Sequence, residues 1–386
     1  MNKTVLHHEN IIQGSLRLLE RVKAFAKKNT VMLAALLAAA VTTVFVPIDA
    51  QYLSYFDFKT LTCLFLVLSV VCAMKNINLF YILARRIVSL FKTTRMCILA
   101  LVYITFIGSM LIANDMALLT FLPLGYFVLS TTGKEKYMAF TFIMQNIAAN
   151  LGGMLTPFGN PQNLYLYSKF NIPDGEFVKI MLAPFVLSVL MITVCCLLFV
   201  KSEPLCVKEE KTVIDPKRTV IYLLLFALSV AIVFRGIPYY IGLVLIPTVL
   251  FFLDKKALRD VDYPLLLTFV FFFVFAGNME RIPQVRELFA SLLEKNTLLV
   301  SVLSCQIISN VPSAILLSGF TGNYPELLVG VNIGGVGTLI SSLASLITFR
   351  EYLSHNPGNA GKYIAEFSAF NFSFLIILTA FMLLIR

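Results

Sequence analysis

The sequence predicts an all-α polytopic membrane protein built from two inverted-topology repeats, each containing a re-entrant hairpin and a broken transmembrane helix. Three observations predict it: an apolar composition cut into runs of membrane-spanning length, basic residues gathered in alternate loops, and an internal repeat of one polar motif. Of 386 residues, 59% are hydrophobic and only 13% charged, and the mean hydropathy is +0.85. Soluble domains carry about 25% charged residues. So apolar a chain cannot cover a water-soluble globule, and no large soluble domain is left over once the apolar runs are set aside.

Full crossings are expected at 31–47, 58–74, 137–168, 177–200, 219–235, 238–253, 262–278, 326–350 and 361–385, each bounded by charges or turn residues. Two other apolar stretches, 96–130 and 297–321, carry polar kinks at Asn114-Asp115 and at Ser309-Asn310-Val311-Pro312. These are expected to be re-entrant hairpins, because irregular backbone at membrane depth is tolerated where protein or a water cavity covers it. Residues 1–30 are polar and basic; they read as a cytoplasmic segment with an amphipathic stretch at 11–25 lying on the membrane, not as a cleaved signal peptide.

The formal net charge of +10 raises the question of a nucleic-acid partner. With the N-terminus in the cytoplasm, 23 of the 31 Lys and Arg fall in the loops 1–30, 75–95, 131–136, 201–218, 254–260 and 350–362, all on the cytoplasmic side. That distribution obeys the positive-inside rule and points to membrane lipid rather than nucleic acid. The count does not distinguish a hairpin from two full spans, since both return the chain to the same face. Seven Cys are scattered without a CxxC pair, and the three His (His7, His8, His355) lie outside the spans. With neither a phosphate-binding loop nor an HExxH motif, an enzyme is not expected.

The motif Asn150-Leu-Gly-Gly-Met-Leu-Thr156 recurs 182 residues later as Asn332-Ile-Gly-Gly-Val-Gly-Thr338, each copy following its kinked hairpin. The first repeat is assigned to 31–200, with hairpin 96–130 and broken helix 137–168. The second is assigned to 237–386, with hairpin 297–321 and broken helix 326–350. Between them the linker loop and helix 201–236 supply the odd crossing that inverts one repeat relative to the other. Gly152, Gly153, Gly159, Pro157 and Pro161 should unwind the first broken helix, freeing carbonyls for a cation and helix N-termini for an anion. A simple proline kink is the alternative. Asp115 is the one carboxylate placed deep in the membrane region, so it reads either as a sodium or proton carrier or as a helix cap. Ser309, Asn310 and Ser313 offer hydroxyls and an amide for an oxyanion or sodium. Arg350 fits an interfacial anchor better than an anion partner.

At these residues the sequence resembles the ion transporter superfamily: divalent anion:sodium symporters, arsenite efflux permeases and NhaD-type sodium/proton antiporters. It is in particular similar to the bacterial YbiR-type anion permeases, over nearly the whole chain after residue 30. Ala113-Asn-Asp-Met-Ala-Leu-Leu-Thr-Phe-Leu-Pro-Leu124 looks like the first hairpin's Ser-Asn-Thr motif and its following arm, and Ser309-Asn310-Val311 like the second Ser-Asn-Thr. The resemblance implies coupling-ion binding at Asn114, Gly153 and Asn310, and substrate contact at Asn114, Asp115, Thr156, Pro157, Asn310 and Val311. Positions matched between the halves add Asn160, Ser309, Thr338 and Ser342 for substrate, and Asp115, Asn163, Asn332 and Gly335 for the ion. Two departures stand out: Asp115 and Val311 occupy the positions of the two threonines, and the second break lacks the Thr-Pro-Pro pattern.

The expected function is secondary transport of a small anion or oxyacid (carboxylate, sulfate or arsenite class), coupled to sodium or protons, by an elevator-type mechanism. An anionic Asp115 would repel a dicarboxylate, which favours proton coupling, a neutral oxyacid or cation exchange. A sodium/proton antiporter using Asp115 is the alternative, and a channel or membrane scaffold a third. No cofactor is expected beyond bound sodium; a homodimer in a bacterial cytoplasmic (inner) membrane is.

Overall fold

A computed structural model describes residues 29–205 and 215–385, so the surface segment expected at 11–25 lies outside the described residues. Within them the chain is helical throughout, with one isolated bridge, Thr93 to Pro204, and no strand. The first half contains α1 (Thr30–Phe45), α2 (Phe58–Asn76), α3 (Leu79–Ser89), α4 (Thr94–Ile112), α5 (Asn114–Thr131), α6 (Met138–Gly152), α7 (Pro161–Lys169) and α8 (Asp174–Phe199). After α9 (Pro216–Val233) come α10 (Tyr239–Leu253), α11 (Lys255–Arg259), α12 (Tyr263–Arg281), α13 (Pro283–Ile308) and α14 (Asn310–Leu317). The chain closes with α15 (Tyr324–Ile333), α16 (Leu343–His355) and α17 (Ala360–Leu384).

One order of elements is met twice, from α2 to α8 and from α12 to α17. Each run has a long apolar helix, then two helices joined through a single residue, then a helix interrupted in its middle, then a long closing helix. The starts are set by matching chemistry. The Thr60 N–H donates to the Asp57 side chain at 2.9 Å and the Leu265 N–H to the Asp262 side chain at 3.0 Å, capping α2 and α12. Ala113 (φ 67) and Ser309 (φ 76) reverse the chain in a left-handed conformation that costs a non-glycine residue about 1–3 kcal/mol. In both, the next asparagine stabilises the new helix: Asp115 N–H donates to Asn114 Oδ1, and Val311 N–H to Asn310 Oδ1, each at 2.9 Å.

Seven helices among the described residues are long and apolar enough to cross a membrane. Five of them fall on the crossings expected at 58–74, 177–200, 219–235, 262–278 and 361–385; α1 and α10 are apolar but shorter. The other two, α4 and α13, are the first arms of the expected hairpins. The 19 residues of α4 rise about 28 Å, a full membrane thickness, so this arm is longer than a half-depth re-entrant segment requires. In α13 a non-helical Asn296 (φ −165, ψ 93) separates the apolar arm from 283–295. The loop expected at 75–95 in fact contains α3. At eleven residues it is too short to span, and its arginines read as loop charges, yet Arg85 is buried with its guanidinium 4.8 Å above the Phe127 ring.

Packing sorts the helices by depth. Every residue of α6 except Ala139 is buried, including Gln145, Asn146 and Asn150, as suits a helix enclosed on all sides. By contrast α8 exposes Val178, Leu182, Val186, Leu190 and Val194, a stripe at every fourth residue that suits lipid. The base of the α4–α5 hairpin is tied to the end of α8. Lys134 and Lys136 each reach Glu203 at 2.7 Å, and the Thr94 N–H donates to the Glu203 carbonyl at 2.8 Å.

Candidate substrate and ion site

The two chain reversals meet at one cavity of 1190 Å³. Four helices begin there: α5 at Asn114, α7 at Pro161, α14 at Asn310 and α16 at Ser342-Leu343. The first turn of each helix leaves N–H groups without intrahelical acceptors and carries about half a positive charge, so the cavity wall attracts anions without a buried lysine. Ser309 and Val311 line it as well, and Lys75, Lys256, Arg259 and Arg350 stand around it with Asp260, Asp262 and Glu351.

Asp115, in the first turn of α5, lines the same space. Its Oδ1 is shielded from solvent and has no hydrogen-bond partner. A carboxylate at membrane depth costs about 2.5–3.5 kcal/mol on insertion scales. The positive helix ends around the cavity offset part of that cost.

Behind the tips runs a buried chain of amides that joins the halves. Asn114 Nδ2 donates to Asn150 Oδ1 at 3.5 Å, and Asn150 Nδ2 to the Asn146 carbonyl at 3.0 Å. Asn160 Nδ2 donates to the Asn150 carbonyl at 3.2 Å and, across the halves, to Asn332 Oδ1 at 3.1 Å. Asn332 Nδ2 returns a bond to Asn163 Oδ1 at 2.6 Å, and Asn163 Nδ2 closes the first break by donating to the Gly153 carbonyl at 3.1 Å. Asn160 Oδ1, by contrast, is buried without a donor. It lies against Gly153, where a Cβ would come within 2.3 Å of it and 2.8 Å of the Gly159 carbonyl. Only glycine admits so close an approach of these oxygens at position 153.

Of the residues the sequence singled out for substrate, Asn114, Asp115, Ser309, Asn310, Val311 and Ser342 line the cavity. Thr156, Pro157, Asn160 and Thr338 are not among its lining residues. Thr156 Oγ1 donates to the Met110 carbonyl at 2.8 Å and Thr338 Oγ1 to the Gln306 carbonyl at 3.2 Å, so both threonines clamp a break to the hairpin arm beside it. Gly153, Asn163, Asn332 and Gly335, read for the ion, belong to the buried layer behind; a Cβ on Gly335 would come within 3.1 Å of Asn310 Nδ2 and 3.3 Å of Asn150 Oδ1. Sequence reasoning missed Gln306, and it missed Asn371, whose Oδ1 accepts from Asn146 Nδ2 at 3.4 Å. An amide inside an apolar run, as in both α13 and α17, was the available signal.

Seven helices long and apolar enough to cross a membrane make this a multi-pass membrane protein, and a cavity walled by four helix N-termini suits one of the transporter class. The chain belongs to the citrate transporter family CitMHS, whose family model matches residues 22–325. An uncharacterized transporter of Methanocaldococcus jannaschii is 31% identical over 326 residues, covering 84% of this chain and 89% of that protein. The inner membrane protein YbiR of Escherichia coli is 29% identical over 282 residues, 70% of this chain and 73% of its own length. The family match ends two residues into α15, so the second break lies beyond it.

Proposed function

We propose that the chain is a secondary carrier of a small carboxylate or related oxyanion, with citrate as the first candidate from its family, coupled to sodium or protons. The observation that carries this reading is the convergence of four helix N-termini on one cavity that also holds Asp115. The positive ends favour an anion. The carboxylate opposes it: two like charges about 5 Å apart at an effective dielectric of about 20 repel by roughly 3 kcal/mol, a few hundredfold in affinity. Anion binding is therefore weak until a cation or proton neutralises Asp115, which is how a gradient of one species drives the other.

With the N-terminus in the cytoplasm, the two matching runs of helices traverse the membrane in opposite senses, and each hairpin enters and leaves on one face, the two from opposite faces, with a first arm long enough to reach across. The basic residues at the cavity belong to loops assigned to the cytoplasm, so the cavity represents an inward-facing state. Hairpins and broken helices then move together past α1, α9, α10 and α12 in an elevator-like stroke, with a homodimer as the assembled form. A sodium/proton antiporter is the second reading, favoured by the partnerless Oδ1 of Asp115.

Counterflow of labelled citrate, succinate, sulfate and arsenite in proteoliposomes, alongside a pH-dye response to sodium pulses, separates the two for wild type and Asp115→Asn. Saturable counterflow of one anion, with altered cation dependence in the variant, is expected. Sodium-driven proton efflux without any substrate, abolished in Asp115→Asn, would replace the carrier with the antiporter.

A further inference from the structure

Helices α7 and α9 end in the same way. In α9 the Gly236 N–H donates to the Ala231 carbonyl at 2.9 Å and the Arg235 N–H to the Ile232 carbonyl at 3.0 Å. In α7 the Ile172 N–H donates to the Tyr167 carbonyl and the Asn171 N–H to the Ser168 carbonyl, each at 3.2 Å. Both are Schellman endings, whose reversing residue is left-handed and most often glycine, sometimes asparagine. Asn171 (φ 50) fits that preference, whereas Arg235 (φ 62) does not, although a glycine stands next to it. An arginine held in this conformation calls for a gain elsewhere.

The gain lies across the seam between the two helices. Arg235 Nη2 donates to the Tyr167 carbonyl at 2.8 Å, and the guanidinium lies 4.1 Å from the centre of the Tyr167 ring. That carbonyl belongs to the last turn of α7, the negative end of the helix, where a cation is favoured. The ring is buried and its hydroxyl donates to Asp174 at the start of α8, so the surface that Arg235 meets is fixed. The first break is gripped from α9 as well: Phe158 packs edge-to-face with Phe226 and with Phe234, ring centroids 6.3 and 6.0 Å apart.

Helix α7 begins at the cavity with Pro161, and Tyr167 stands about 9 Å further along its axis, toward the outer face. Arg235 therefore joins an element that moves to one that stays, on the side away from the cavity mouth. The contact is also incomplete, because Arg235 Nε is buried without an acceptor. Backbone strain and an unmet N–H both subtract from its strength, as a joint that opens once in every cycle requires.

We infer that Arg235 is an outer latch, a positioning residue that binds the first broken helix to α9 while the cavity faces the cytoplasm and releases it when the hairpins move. The inference rests on the elevator reading above.

The test labels Val311→Cys, at the second tip, with a membrane-impermeant maleimide in right-side-out and inside-out vesicles, against the same chain without that cysteine. With reagent dilute enough that labelling is slower than the transition, a change in the ratio of outer-face to cytoplasmic-face rates reports the change in outward-to-inward population, and no substrate is needed. Arg235→Gly removes the latch but suits the left-handed position, so α9 keeps its ending. The ratio should then rise about tenfold, through loss of a charge-assisted hydrogen bond and a cation–π contact. Arg235→Lys keeps the charge without the planar fork and should fall between. An unchanged ratio in both variants would overturn the latch whatever the anion counterflow shows. Wild-type labelling from the outer face alone would overturn the inward-facing reading and the latch with it. A raised ratio without saturable counterflow of any anion would keep the latch and remove the carrier.

Discussion

Ala113 and Ser309 turn the chain through nearly the same dihedral angles, and each is followed by an asparagine that caps the next N–H, yet the residue after that is Asp115 in one half and Val311 in the other. The breaks behind them repeat the pattern: each is glycine-lined and clamped by a threonine, but one leaves a buried oxygen without a donor and the other does not. The repeat thus sets the backbone, which brings helix N-termini to a common cavity. Single side chains within it decide what each tip presents to that cavity, a carboxylate at Asp115 and an isopropyl group at Val311.

The comparison is broken most severely at the matched glycines. A methyl on Gly152 would meet the Phe106 carbonyl at 2.2 Å, and backbone cannot yield. A methyl on Gly334 would meet the Cys305 side chain at 2.7 Å and the Gly330 carbonyl at 2.8 Å, a tight fit but a less severe overlap than at Gly152. Gly152→Ala is expected to abolish recovery of monodisperse protein in size-exclusion chromatography; Gly334→Ala should lower stability by about 1–3 kcal/mol and leave the protein foldable.

The tips come next in size. Val311→Asp places a second carboxylate on the cavity and should weaken anion binding a few hundredfold through roughly 3 kcal/mol of repulsion. Asp115→Asn should leave binding within reach but cut its dependence on sodium or pH, read from counterflow at varied cation.

Asn332 accepts from Asn160 and donates to Asn163 and the Leu328 carbonyl, so it fastens one half to the other. Asn332→Leu should cost about 1–3 kcal/mol by stranding buried partners, measured as Tm in detergent.

The smallest effect is electrostatic and outside the spans. Lys134 and Lys136 beside Glu203 pull its carboxyl from the ordinary 4.5 down to about 2. A depressed carboxyl stabilises the fold above its unfolded value and loses that contribution as pH falls through the folded one. The Tm difference between wild type and Glu203→Gln should therefore be constant above pH 4.5 and shrink towards zero near pH 2. A gap unchanged at low pH would detach these lysines from the hairpin's base.

Much of this plan is legible in the sequence because glycine, proline and asparagine within an apolar run have few reasons to be there. The tips at Asn114 and Asn310 and the breaks after Gly153 and Gly335 stand out on that ground alone. What stays hidden depends on direction and distance. A threonine does not announce which way its hydroxyl points, so the bonds by which Thr156 and Thr338 join each break to its hairpin arm cannot be read from the sequence. Gln306 and Asn371 look like isolated amides until folding carries partners from 28 and 225 residues away to them. Helix α3 escapes because it is short and carries two arginines, features that mark a loop in a hydropathy reading.

The most direct measurement is the heat of citrate binding to the purified carrier, titrated in sodium and in choline at one pH above and one below neutrality. The account predicts saturable binding that tightens when sodium is present or when acid protonates Asp115, with both effects lost in Asp115→Asn. Binding of equal strength under all four conditions, or none under any, would contradict a cavity in which the anion waits on a cation.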